Sequence, residues 1–148
     1  MLPNDFNSPL SKRCPLIHVP RFNDDRGSLS VWEMASELAF LVKRVFWFYD
    51  VPASANRGGH AHRTCKELVF AVSGSFEVEL TDGISKMNVR LEDPSVGLVI
   101  PEYIWCRLHH FSENAVGLCL ASESYASDGY FHDFEQYLKE TTRLKTNE

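Results

Sequence analysis

The chain has 148 residues, 44% hydrophobic, 24% charged and 12% aromatic, with 8 Gly and 7 Pro. These values suit one compact domain and exclude a chain disordered throughout. The 15 Lys and Arg against 20 Asp and Glu give a formal net charge of −5, which argues against a sequence-independent binder of nucleic-acid phosphates. Cys14, Cys65, Cys106 and Cys119 stand singly, so neither a disulfide framework nor a CxxC zinc ribbon is indicated. No apolar run approaches the roughly 18 to 20 residues of a membrane span, and MLPNDFNSPL lacks the pattern of a signal peptide. A cytoplasmic protein, without membrane or nucleic-acid partner, is the expectation.

Residues 1–15, punctuated by Pro3, Pro9 and Pro15, read as a flexible lead-in to a single domain over 16–139. Short apolar or alternating segments then follow at 29–33, 43–50, 67–72, 75–80, 86–91, 96–100, 105–109 and 115–121, about ten residues apart, the rhythm of an all-β sandwich or barrel. Phe76, Val78 and Leu80 alternate with Glu77 and Glu79, Thr81-Asp82-Gly83 turns the chain, and Met87, Val89 and Leu91 repeat the alternation, so 75–91 is predicted to be a β-hairpin. The run Phe46, Trp47, Phe48 and Tyr49 must divide between two strand faces, as core and interface residues. Tyr130, Phe134, Tyr137 and Leu138 recur at helical spacing after Ser127-Asp128-Gly129, which predicts a short C-terminal helix; the charged residues 140–148 read as a fraying tail.

The stretch Arg57-Gly58-Gly59-His60-Ala61-His62 carries the strongest chemical signal. On a strand, residues i and i+2 share a face, so two imidazoles would stand side by side, able to move protons near neutral pH or to bind a transition metal. His109 and His110 form a second pair, but adjacent strand residues face opposite ways, so both are not expected at one site.

His60, His62, Glu67 and Gly74 follow the spacing His-x-His-x4-Glu-x6-Gly, which resembles the first motif of the cupins, small antiparallel β-barrels of jelly-roll type. At the second cupin motif, Pro101-Glu102-Tyr103-Ile104-Trp105-Cys106 places Tyr103 where Gly is usual and Cys106 where a ligand His is usual. A metal-dependent cupin using His60, His62, Glu67 and Cys106 is one alternative. A closer resemblance spans residues 16–138: Arg26-Gly27-Ser28-Leu29, Lys43-Arg44-Val45-Phe46, the RGGHAH stretch, Ser73-Gly74-Ser75, Asp82-Gly83, Pro94-Ser95-Val96-Gly97-Leu98 and Ala121-Ser122. In order and spacing these are similar to the sugar 3,4-ketoisomerases, the WxcM-like cupins of deoxysugar biosynthesis.

That resemblance implies a dTDP-linked 4-keto-6-deoxyglucose as substrate, isomerised to a 3-keto sugar with no cofactor, and a homodimer built by exchange of N-terminal strands. It implies His60 and His62 as the catalytic pair, one moving the carbon-bound proton and the other serving the two oxygens. Arg26, Arg44 and Arg57, with Gly58 and Gly59, match positions expected to meet the sugar nucleotide, since guanidinium groups pair with phosphate oxygens. Tyr103, Trp105, Cys106 and Glu67 are expected as pocket walls, with the Glu67 carboxylate favouring the charged imidazoles. Tyr125 and Tyr130 read as packing residues. Gly59 and Cys106 depart from the family's usual side chains, which keeps a second alternative open, a cupin that binds a nucleotide sugar without turnover.

Overall fold

The computed structural model describes residues 8–33 and 40–147. In chain order it runs through α1 (Pro9–Arg13), β1 (Leu16–His18), β2 (Arg21–Asp24), β3 (Gly27–Ser30), β4 (Arg44–Phe48), β5 (Arg57–His62) and β6 (Glu67–Ser73). It continues through β7 (Phe76–Thr81), β8 (Lys86–Leu91), β9 (Val96–Ile100), β10 (Trp105–His109) and β11 (Val116–Ala121). A 3-10 turn at Ser127–Gly129, then β12 (Tyr130–Phe131) and α2 (Phe134–Thr146) complete it.

The strands form two five-stranded sheets, ordered β1-β9-β6-β11-β4 and β12-β5-β10-β7-β8, with β2 and β3 as a separate pair. Every pairing is antiparallel. This is the jelly-roll arrangement the sequence implies, with the hydrogen bonding divided between two open sheets rather than running round a closed barrel. The 75–91 hairpin is present, with Val78 opposite Val89 and Leu80 opposite Met87.

The alternation places Val69, Phe76, Val78, Leu80, Leu98 and Ile100 between the sheets, all buried. Three rings fix the sheet separation at one end: Phe48, Phe76 and Phe111 lie with centroids 5.3 to 5.9 Å apart. Gly117 lies beneath Phe48, where a Cβ would stand 2.0 Å from a ring carbon, so close packing requires glycine there. Trp47, on the other face of β4, is 60% exposed, as the alternation along 46–49 demands.

Both chain ends differ from expectation. Of the proposed lead-in, residues 1–7 lie outside the described region, but α1 is a capped element: Ser8 accepts from the Ser11 N–H at 3.1 Å, and Leu10 and Cys14 enter the core at 0% and 2% exposure. A proline-punctuated segment can start a helix because Pro at the first turn gives up an N–H that would be unpaired there. At the other end, α2 starts at Phe134, capped by Asp133, and continues to Thr146 instead of fraying from 140. Thr141 is buried, the Arg63 guanidinium reaches Glu140 at 2.9 Å, and Lys145 Nζ donates to the Asp82 carbonyl at 3.2 Å. Tyr137, also fully buried, sits within hydrogen-bond distance (2.9 Å) of both the Thr81 and Tyr103 carbonyls, tying the helix to the second sheet.

Leu10→Ala is therefore expected to cost about 2–5 kcal/mol, as for a core leucine. Urea denaturation checks it, since a flexible lead-in would leave the midpoint unchanged.

Candidate active site

Alternate positions on facing strands converge on one cavity of about 250 Å³. β4 contributes Arg44, Phe46 and Phe48, β5 Arg57, Gly58 and His60, β6 Glu67 and Val69, and β10 Cys106 and Leu108; Ile100, Cys119, Tyr125 and Tyr130 complete the lining. The floor is apolar, so the few polar groups in it interact strongly.

A bulge sets the composition of the β5 wall. Cys106 pairs with His60 and Arg107 with Gly58, so one step on β10 answers two on β5, and Gly59 is the extra residue. Gly58 and Gly59 both have left-handed backbone, φ 76° and 74°. Three residues apart, Arg57 and His60 would face opposite sides of a regular strand; the bulge brings both to the cavity. A Cβ at Gly58 would lie 2.8 Å from the Cys106 carbonyl oxygen, so this glycine allows close approach to β10 itself, and Gly59 does not line the cavity.

His60 and His62 share a face as expected, with ring centroids 5.3 Å apart. Tyr130 stands beside both, 5.0 Å from His60 and 4.5 Å from His62. His62 is 4% exposed and its Nε2 lies 2.8 Å from Glu67 Oε1. Burial opposes a charge on Glu67, but the His62 hydrogen bond and the fields of His62, His60 and Arg44 outweigh it and hold the carboxyl below its ordinary range. For His60 the balance goes the other way. Burial, with the neighbouring His62, pulls its pKa down from 6.5 to about 4 against the opposing pull of Glu67. The expectation that Glu67 would favour the charged form of both rings thus fails for His60, because desolvation is the larger effect.

Arg44 Nη2 donates to the Tyr130 hydroxyl at 3.2 Å, while its Nε is buried with no protein partner. Its guanidinium also stands over Phe46 and Tyr125, and that of Arg57 over Phe48, at 5.0 to 5.7 Å from the ring centroids. An unpaired N–H in a site lined by guanidinium groups suits an incoming anionic oxygen.

Several expectations for the site residues change. Tyr103 and Trp105 pack with Phe131, Tyr137 and Leu138 beneath α2, away from the cavity. Tyr103 holds φ 59°, the left-handed conformation for which the cupin motif uses glycine. Tyr125 and Tyr130, read as packing residues, line the cavity instead. Arg26 lies at the exposed tip of the β2–β3 hairpin, paired with Asp24, and does not enter its own chain's cavity. Burial raises the Cys106 thiol well above its ordinary pKa, which opposes a thiolate ligand there. Among the described residues, the three side chains whose metal-type donor atoms all approach within 4.8 Å of one another are Glu77, His109 and His110, not His60, His62, Glu67 and Cys106. The second histidine pair therefore does converge, contrary to the strand-parity expectation. A larger cleft of about 520 Å³, between the β2–β3 hairpin and the outer face of the first sheet, is lined by Val19, Trp32, Phe70, Leu118 and Leu120 among others and holds no acid–base pair.

A two-sheet jelly roll with paired imidazoles, a buried carboxylate and guanidinium groups around an apolar cavity defines a cupin-type acid–base site. The chain matches the family model described as FdtA, WxcM-like, C-terminal, over residues 12–142, and it belongs to that family. It is 30% identical over 129 residues to the TDP-4-oxo-6-deoxy-alpha-D-glucose-3,4-oxoisomerase of Aneurinibacillus thermoaerophilus, covering 87% of this chain and 93% of that one. Among solved structures it is similar to a 3,4-ketoisomerase from Helicobacter canadensis, with TM-score 0.84, 32% identity, and 87% and 97% of the two chains covered. It is similar also to QdtA, a sugar 3,4-ketoisomerase from Thermoanaerobacterium thermosaccharolyticum in complex with TDP, with TM-score 0.86, 30% identity, and 89% and 96% covered. A histidine-to-asparagine variant of QdtA holds TDP-4-keto-6-deoxyglucose.

The His60 shift has a stability consequence. A ring that protonates at 6.5 when unfolded and about 4 when folded leaves the folded state with fewer protons between those values. Its contribution is then complete above pH 6.5 and is lost as the pH falls toward 4. Wild-type protein should lose up to about 3 kcal/mol more than His60→Asn between pH 7 and 4, measured by urea unfolding at each pH. Parallel curves would show that His60 titrates normally.

Proposed function

We propose that this chain is a sugar 3,4-ketoisomerase that converts TDP-4-keto-6-deoxyglucose to its 3-keto isomer. The observation that carries the reading is His60, an imidazole held neutral at the wall of an apolar cavity beside an ionised buried carboxylate. The reaction is redox-neutral and consists of proton transfers. His60 takes the proton from carbon 3, the electron pair forms the enediolate between carbons 3 and 4, and the imidazolium returns the proton to carbon 4. The hydroxyl proton moves from the oxygen on carbon 3 to that on carbon 4. The Tyr130 hydroxyl, held by Arg44, serves that second transfer. His62, almost fully buried and held by Glu67, acts as a positioning residue: it keeps the carboxylate ionised next to the ring that gains charge in the reaction.

The cavity takes the sugar, and the diphosphate lies toward Arg44 and Arg57, with Tyr125, 67% exposed, beside the nucleotide. The protein works as a homodimer with exchanged N-terminal strands. Supporting this, the β2–β3 hairpin exposes Phe22 and Leu29 at 60% and 61%, and edge strand β4 exposes Val45 and Trp47. Such an exchange would carry Arg26 to the partner's cavity. The setting is deoxysugar assembly for a surface glycan such as O-antigen or S-layer glycan, in the cytoplasm.

Proton NMR of TDP-4-keto-6-deoxyglucose in heavy water tests the reaction. Wild-type protein should give a 3-keto product with exchange or internal transfer between carbons 3 and 4. His60→Asn should slow turnover by about 10²–10⁴-fold, the scale of lost general acid–base catalysis, with nucleotide affinity retained. Saturable binding without any product would transfer the reading to a nucleotide-sugar-binding cupin. For assembly, light scattering should give twice the chain mass, and Trp47→Glu should lower it to the mass of one chain.

A further inference from the structure

The outer face of the second sheet carries a cluster that the proposed reaction does not use. β7 and β10 pair so that His109 lies opposite Glu77, and both face away from the core because their neighbours Val78 and Leu108 are buried in it. His110 would point to the opposite side if β10 continued. Its backbone instead turns left-handed, φ 53°, and returns its ring to His109, with centroids 4.4 Å apart. For a residue other than glycine that conformation is uncommon and costs energy. The turn produces a specific result: one donor atom from each of Glu77, His109 and His110 lies within 4.8 Å of the other two.

Hydrogen bonds around the cluster orient its lone pairs. The Asn88 side-chain amide donates to Glu77 Oε2 at 2.6 Å, which identifies its oxygen as the atom facing His109 Nε2 at 3.2 Å. That oxygen accepts the Nε2–H, leaving the lone pair of His109 on Nδ1. An outer oxygen that holds one ring N–H and so fixes which nitrogen keeps its lone pair is the kind of support found behind metal-ligating imidazoles. His110 Nδ1 lies 3.3 Å from Glu77 Oε2, a contact in which a cation can replace the shared proton. Arg90 is 3.9 Å from Glu77 but 2.8 Å from Glu92, so its main bond is elsewhere.

We propose that Glu77, His109 and His110 bind a divalent transition-metal cation, with Asn88 as their outer support. Two imidazole nitrogens and one carboxylate oxygen suit Zn²⁺, Ni²⁺ or Cu²⁺ rather than Ca²⁺ or Mg²⁺, and water completes the coordination. The 68% exposure of the His110 side chain provides the entry path. The ion clips β7 to the residue that follows β10, across the sheet from the cavity, so it stabilises the fold without touching the acid–base groups.

Calorimetric titration of the full chain with Zn²⁺ alone tests the site, with thermal unfolding recorded in parallel. One ion per chain should bind and raise the Tm. His109→Ala or Glu77→Gln should weaken binding by about tenfold or more, and Asn88→Ala by about tenfold. The double variant His60→Asn/His62→Asn should bind as wild type does, and His109→Ala should keep wild-type turnover. His110→Ala, in the most exposed ligand, serves as the readout if His109→Ala lowers the Tm without metal. No saturable binding, binding unchanged in His109→Ala, or binding lost in the His60/His62 variant would each overturn the proposal, the last by placing the ion in the cavity.

Discussion

A carboxylate enclosed at 7% exposure is the constraint on which the rest of the interior depends. Glu67 lies on the inward face of β6, one alternation before Val69, where the pattern of the sheet calls for an apolar side chain. Burying an unpaired carboxylate costs several kcal/mol or forces it to take up a proton. His62 meets it at 2.8 Å, and the fields of His60 and Arg44 add to that attraction, so the charge survives burial. These partners come from two other strands, β5 for the histidines and β4 for Arg44, and a small error in register would leave the charge uncompensated. The polar groups of the cavity thus enforce the alignment of both sheets, beyond whatever chemistry they perform.

The same arrangement gives the two histidines different environments. His62 has the direct bond to Glu67, while His60 has burial and a neighbouring ring on one side and only a more distant carboxylate on the other. His60 is therefore held neutral near pH 7, and a charge placed on its ring would meet the preformed Glu67 charge. Arg44 holds the Tyr130 hydroxyl through one N–H and keeps its buried Nε–H without a protein partner. Apolar walls from Phe46, Val69 and Leu108 make these interactions stronger than they would be in water.

Much of this was legible in the chain. Alternation at 76–80 and 87–91 located a hairpin because one face is core and the other solvent, and the His-x-His spacing located two imidazoles on one face because a strand has period 2. Features that depend on departures from regular geometry were not legible. Tyr130 fits the helical spacing of Phe134 and Tyr137, yet the Asp128-Gly129 turn before it releases the chain into β12, where Tyr130 pairs with His62. Tertiary pairing there overrides local period, and the turn residues were the available signal. Trp105 alternates correctly along β10, but α2 covers the face it occupies, and no single segment reports which layer will lie over it. His110 escaped strand parity through one left-handed residue, a conformation its side chain does not announce.

The bulge at Gly59 shows how one residue decides what the site contains. With regular pairing, β5 would offer the cavity His60 and Gly58 but turn Arg57 to the opposite face. The extra glycine returns Arg57 to the cavity wall, where it stays exposed, while leaving His60 in register with Cys106. Gly58 permits this by allowing the Cys106 carbonyl within 2.8 Å of where a side chain would begin. β10 pairs with β7 without any shift, so the irregularity is absorbed entirely on the β5 side. One strand can therefore hold Cys106 and Leu108 against the cavity and Arg107 and His109 on the outer surface. The adjacent glycines of the RGGHAH stretch are thus the means by which a guanidinium and an imidazole, three residues apart, come to line the same cavity.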